Sequence, residues 1–167
     1  MGNKYLNLFL MSNALIIIDQ YTKFMVTLHI PLNYSIKVID NFFQLTHIRN
    51  SGVAFGLFAG SNSETKVIFF IAFSTIAILA ILVFFHHTRE DKKMAQAGLI
   101  LLFSGAIGNL IDRILYQEVI DFLDFYYKNF HWPAFNVADS CITLGVGLVL
   151  ADQFIHGDKT APQESSS

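Results

Sequence analysis

Apolar positions along the chain gather into four long runs, at residues 5–28, 67–85, 95–115 and 135–155. A bilayer core of ~30 Å needs ~20 helical residues, so each run is long enough to cross it. The pattern predicts an all-α integral membrane protein with four transmembrane helices, folded as a single membrane-embedded domain over 1–156. The run at 67–85 contains no charge, whereas the other three carry isolated polar residues. The first run starts like a secretory signal peptide, but no small-residue cleavage pattern follows. It continues instead into Asp19-Gln20-Tyr21-Thr22-Lys23, which reads as an uncleaved span. Between the first two runs, residues 35–39 and 42–48 alternate loosely, as short strands do. They predict a small extracytoplasmic β-sheet in this first outer loop. Residues 86–94 form a short charged connection, 116–134 an acidic one, and 157–167 a polar tail expected to be disordered.

Composition sharpens this picture. Hydrophobic residues make up 53% of the 167 and charged residues 14%, against roughly 25% charged in soluble domains. Mean hydropathy is +0.47. A disordered chain, a basic nucleic-acid binder and an ordinary soluble surface are excluded. The net charge of −2 gives no global pull toward nucleic acid. A single cysteine, Cys141, excludes an internal disulfide and a multi-cysteine zinc site. Arg89, Lys92 and Lys93 crowd into the 86–94 connection, which the positive-inside rule places in the cytoplasm. Both termini then lie in the cytoplasm, and the 29–66 and 116–134 connections face outward.

Ionisable groups inside a span are costly and face protein or water. Asp19 and Lys23, four apart, share one helix face as a structural ion pair. In the third span, Gly105, Gly108, Asn109 and Asp112 form one stripe, with Arg113 a step round. The glycines allow close helix approach. The stripe suits a structural hydrogen-bonded cluster as well as a functional one. Asp121 lies between large apolar neighbours and reads as part-buried, whereas Asp124 reads as exposed. Asn136 followed by Asp139 resembles a capping box at the start of the fourth span. Topology offers a second reading, because Asp112, Asp121 and Asp139 gather at the outer membrane boundary. Two carboxylates in a low-dielectric site share a proton. One can then activate water while the other protonates a leaving group, as in an aspartic protease. An ion transporter would prefer carboxylates near the midplane and pseudo-repeats, and a purely structural protein would not need Asp121 and Asp139 to converge. Neither Gly-x-Ser-x-Gly nor His-Glu-x-x-His occurs, which leaves serine and metalloprotease readings without support.

Five segments together resemble the lipoprotein signal peptidases, the type II signal peptidases of bacteria. They are Asp19-Gln-Tyr-Thr-Lys23, Arg49-Asn50-Ser-Gly52-Val-Ala-Phe55-Gly, Gly105-Ala-Ile-Gly-Asn109-Leu-Ile-Asp112-Arg113, Val119-Ile-Asp121-Phe122 and Phe135-Asn136-Val-Ala138-Asp139-Ser140. Any one is weak; five in the family's order and spacing are specific. The resemblance implies catalytic aspartates at Asp121 and Asp139. It implies site-lining or supporting roles for Asn50, Gly52, Asn109, Asp112, Arg113, Asn136 and Ala138, and a structural pair at Asp19 and Lys23. It further implies removal of the signal peptide from prolipoproteins before a diacylglyceryl-modified cysteine, with no metal or other cofactor. The implied partners are that lipid-bearing substrate, membrane lipid and a globomycin-type inhibitor, with no nucleic acid, for an enzyme acting as a monomer in the bacterial inner membrane. A β-cradle and a short amphipathic helix over the site, matching 35–48 and 60–64 here, complete the expectation.

Overall fold

The computed structural model of the protein describes residues 3–52 and 63–157. Residues 53–56 of the Arg49–Gly56 motif, residues 60–62 of the expected amphipathic helix and residues 158–167 of the polar tail lie outside the described residues. Four helices are formed: α1 (Lys4–His29), α2 (Ser63–His87), α3 (Lys93–Tyr116) and α4 (Val137–Gly157). Four strands accompany them: β1 (Ser35–Ile39), β2 (Phe43–Asn50), β3 (Val119–Tyr127) and β4 (Phe130–His131).

Local chemistry sets the helix ends. Asn3 caps α1 by accepting the backbone N–H of Tyr5 at 3.1 Å, the usual use of an Asx side chain at that position. α3 stops where Gln117 turns left-handed (φ 63°) and donates its N–H to the Arg113 carbonyl. Among the described residues three helices, α2, α3 and α4, are long and apolar enough to cross a membrane. α1 is as long, but Asp19, Gln20 and Lys23 dilute its apolar character.

The packing is inverted relative to a water-soluble bundle. Phe9, Ile17 and Phe24 of α1, Ile68, Phe73 and Phe84 of α2, and Leu144 and Phe154 of α4 all face outward. Asp19, Lys23, Asn109, Asp112 and Asn136 are all buried. An apolar exterior around a polar interior is stable only where the surroundings are themselves apolar. α3 and α4 approach through glycines. A Cβ on Gly98 would lie 2.8 Å from the Gly145 carbonyl oxygen, and one on Gly145 would lie 2.7 Å from the Gly98 carbonyl oxygen. This small-residue seam lets the two backbones meet.

The sheet is antiparallel throughout, in the order β1-β2-β3-β4. Its first two strands fall where the alternation places them. Its last two correct the expectation of a sheet confined to the first loop, because the 116–134 connection supplies β3 and β4. Phe122 packs with Val26 of α1 and with Ile30, which caps that helix, and this seats the sheet on the bundle end.

Candidate active site

The site forms where β3, the start of α4 and the last turns of α3 converge. Asn50 ends β2 opposite Val119, so Asp121, two residues farther on, is its diagonal neighbour on the same sheet face. The Asn50 amide donates to Asp121 Oδ2 at 2.9 Å. Its own oxygen accepts the Gly52 N–H at 2.8 Å. Gly52 adopts φ +75°, and a Cβ there would meet the Phe70 ring at 2.7 Å. Only glycine satisfies both conditions.

The approach to α4 is pinned to β3. Phe122 and Leu123 donate their backbone N–H to the Phe135 carbonyl, and Phe135 donates back to Leu123. This places the wholly buried Asn136 beside Asp121. Its amide donates to Asp121 Oδ1 at 2.8 Å, to Asn109 Oδ1 at 3.2 Å and to the Ile120 carbonyl at 3.2 Å. The capping box also forms. Asp139 donates its N–H to Asn136 Oδ1 at 2.8 Å, and Asp139 Oδ2 accepts the Asn136 N–H at 3.3 Å. The other oxygen of Asp139 accepts from the Asn109 amide at 2.7 Å. Asp121 and Asp139 are thus joined through Asn136 and Asn109. Burial pushes the Asp121 carboxyl up to about 6, and the charge of Asp139 adds to the rise against hydrogen bonds from Asn50 and Asn136.

A second cluster lies directly behind. Lys23 Nζ bonds Asp19 Oδ2 and Asp112 Oδ2, each at 2.8 Å, and Asn109 Oδ1 at 3.1 Å. The helix-local pair expected from Asp19 and Lys23 is therefore one side of a triad. Gln20 donates to both carboxylates, at 3.1 Å to Asp19 and 3.0 Å to Asp112. Asp19 also accepts the Ala138 N–H at 2.8 Å, and Asp112 that of Ile120 at 3.1 Å. Ala138 and Gly108 keep this contact tight: a Cβ on Gly108 would fall 2.6 Å from Asp19 Oδ2 and 3.2 Å from the Ala138 Cβ. The ammonium's three protons are all used, which is what a buried ion cluster requires. Through Ile120 and Ala138 the cluster fixes the residues next to Asp121 and Asp139.

Arg113 donates to the Asn109 carbonyl at 3.2 Å and to Ser74 Oγ at 3.4 Å, with its guanidinium 5.4 Å from the Phe70 ring centre. It and Asp139 line a 350 Å³ cavity between α2 and the α3–α4 pair, with Phe70, Phe73 and Ile142 on its walls. Asp124 corrects the sequence reading. It is buried, accepting from Gln44 at 2.7 Å, its cross-strand partner, and lying 2.9 Å from His131 Nδ1. Gln20 was not anticipated; its one signal is its place between Asp19 and Lys23.

Comparison with known proteins agrees with this arrangement. The family model of signal peptidase (SPase) II matches residues 11–155. The lipoprotein signal peptidase of Desulforapulum autotrophicum is 49% identical over 137 residues, 82% of this chain and 85% of that protein. That of Geobacter sulfurreducens is 46% identical over 147 residues, 88% of this chain and 91% of its own. A bacterial membrane enzyme solved by the in meso method superposes with a TM-score of 0.80 at 32% identity, covering 96% of this chain and 94% of the other. On sequence match over almost its whole length, and on fold, the chain belongs to the signal peptidase II family.

Proposed function

We propose that the protein is a lipoprotein signal peptidase working through an aspartate dyad. It removes the signal peptide from prolipoproteins by hydrolysing the peptide bond before a diacylglyceryl-modified cysteine. The observation that carries this reading is the link Asp121–Asn136–Asn109–Asp139, a buried and a part-buried carboxylate tied together at the mouth of an apolar cavity. The substrate's lipid keeps it in the bilayer, so the chemistry belongs at a membrane boundary. The α2-to-α4 walls are apolar enough to receive acyl chains. Four spans, with α1 the least apolar, and both termini in the cytoplasm put the dyad at the outer face of the inner membrane, where water has access.

In the proposed reaction Asp139 takes a proton from a water as its oxygen attacks the scissile carbonyl carbon. Asp121, the carboxyl that burial holds near 6, carries the shared proton and gives it to the departing amine. The carbon–nitrogen bond then breaks, leaving a carboxyl-terminated signal peptide and the free amine of the lipidated cysteine. Asn50 and Asn136 orient Asp121, while Asn109, held by Arg113 and Lys23, orients Asp139. Gly52 lets the chain that follows Asn50 pack closely against Phe70. Asp112, Ala138 and the Asp19–Lys23 pair act as support. A globomycin-type cyclic peptide occupying the cavity by Asp139 would exclude both water and substrate.

The purified protein in neutral detergent, given a prolipoprotein with and without its diacylglyceryl group, tests this. Mass spectrometry should find cleavage immediately before the cysteine of the lipidated form alone. Cleavage elsewhere, or none, rejects the assignment.

A further inference from the structure

The cavity beside Asp139 does not end in the middle of the bundle. A second cavity of 710 Å³ shares Ala77, Ile81 and Leu102 with it. It continues between α2 and α4 to Thr88, Lys92 and Asp152. The two form one groove running almost the whole depth of the bundle. Its walls are apolar until its far end, where a carboxylate waits. Asp152 is 6% exposed, and Lys92 Nζ lies 3.4 Å from its Oδ2. Lys92 is the looser partner, with 30% of its side chain exposed against 9% for Asp152.

A groove made only for acyl chains has no use for a carboxylate at its end, since a chain ends in a methyl group. A signal peptide has use for both. It carries an apolar segment of about 7–15 residues preceded by a cationic region. Asp139 and Asp152 are 13 positions apart on one helix, about 20 Å at 1.5 Å per residue. A helical signal peptide with its scissile bond at Asp139 therefore brings its cationic region level with Asp152.

The geometry points to the α2–α4 groove as the seat of the signal peptide's apolar helix, and to Asp152 as the residue that receives its N-terminal Lys or Arg. The incoming cation displaces Lys92, whose exposed stem swings to water. Asp152 thereby sets how far the substrate enters, and so which bond reaches the dyad. This inference rests on the proposed function for the direction in which the substrate lies.

The test is a double-mutant cycle between enzyme and substrate in neutral detergent. Lipidated prolipoprotein is compared with a version whose N-terminal Lys and Arg are changed to Gln, against wild type and Asp152→Asn. With wild type, the Gln substrate should show KM raised roughly fivefold, the factor for about one kcal/mol. Asp152→Asn should raise KM for the cationic substrate by a similar factor and leave KM for the Gln substrate unmoved. Equal KM for the two substrates with wild type, which needs no folded variant, overturns the inference and leaves the groove to acyl chains. An equal KM change for both substrates in Asp152→Asn overturns it as well, by making the effect structural. If wild type cleaves neither substrate, the peptidase reading itself fails. Cleavage with indifference to charge rejects the Asp152 subsite alone.

Discussion

Lys23 shows how much a single residue's role depends on partners far away in sequence. Its spacing from Asp19 predicts an i,i+4 ion pair, and that pair forms. No spacing rule could supply Asp112, which lies 89 positions further along yet binds the same ammonium at 2.8 Å. Asp124 was misread for the same reason, because its burial depends on Gln44 across the sheet. Removing Asp19 takes a charge from Lys23 and orphans the Ala138 N–H, so Asp19→Ala should destabilise by roughly 3 kcal/mol, the scale for breaking a buried pair. It should accumulate poorly in the membrane; normal abundance with abolished activity would instead put Asp19 in the chemistry. Asp121 has the opposite signature. Its folded value of about 6 lies above the ordinary 3.8, so the folded state binds the extra proton between those values. Stability linked to Asp121 is therefore present at pH below about 4 and lost as pH rises through about 6. Thermal unfolding of wild type against Asp121→Asn should show wild type losing ground over that window. Parallel pH profiles would mean that Asp121 is not held in an unfavourable charged form.

At the level of elements, helices α1 to α4 and strands β1 and β2 were legible because each follows a regular pattern of its own. β3 was not. Val119 to Phe122 are all buried, on both sides of the strand, so no apolar–polar alternation marks it. Two of the three acidic residues that made 116–134 look like a loop, Asp121 and Asp124, point inward to Asn50, Asn136, Gln44 and His131 instead. The α3–α4 seam is a second case in which contact decides. A Cβ on Gly105 would collide with the Ala138 carbonyl oxygen and press on Ile142. Gly105→Val should lower the unfolding temperature, with a cost of about 1–3 kcal/mol for overpacking. It should also depress turnover, since Ala138 precedes Asp139. An unchanged unfolding temperature would show that the seam has slack.

The whole molecule turns an ordinary domain inside out, with apolar side chains outside and a continuous polar network within. That network reaches from Asp19 to Asn50 and contains all nine of the residues expected at the site or in its ion pair that bear a polar side chain: Asp19, Lys23, Asn50, Asn109, Asp112, Arg113, Asp121, Asn136 and Asp139. The five motifs were legible together because one site draws on every one of them. By the positive-inside rule the basic 86–94 connection should lie in the cytoplasm, so a reporter fused to the C-terminus should be active only there; a periplasmic signal reverses the proposed face of the site. The central claim is that Asp121 and Asp139 act as one unit, and it competes with a capping role for Asp139. Single-turnover cleavage of lipidated prolipoprotein by wild type, Asp121→Asn, Asp139→Asn and the double variant separates the two. An aspartate dyad predicts a loss of at least ~10²-fold in each single variant with the fold retained, and a double variant little worse than either single. Near wild-type cleavage by either single variant contradicts it.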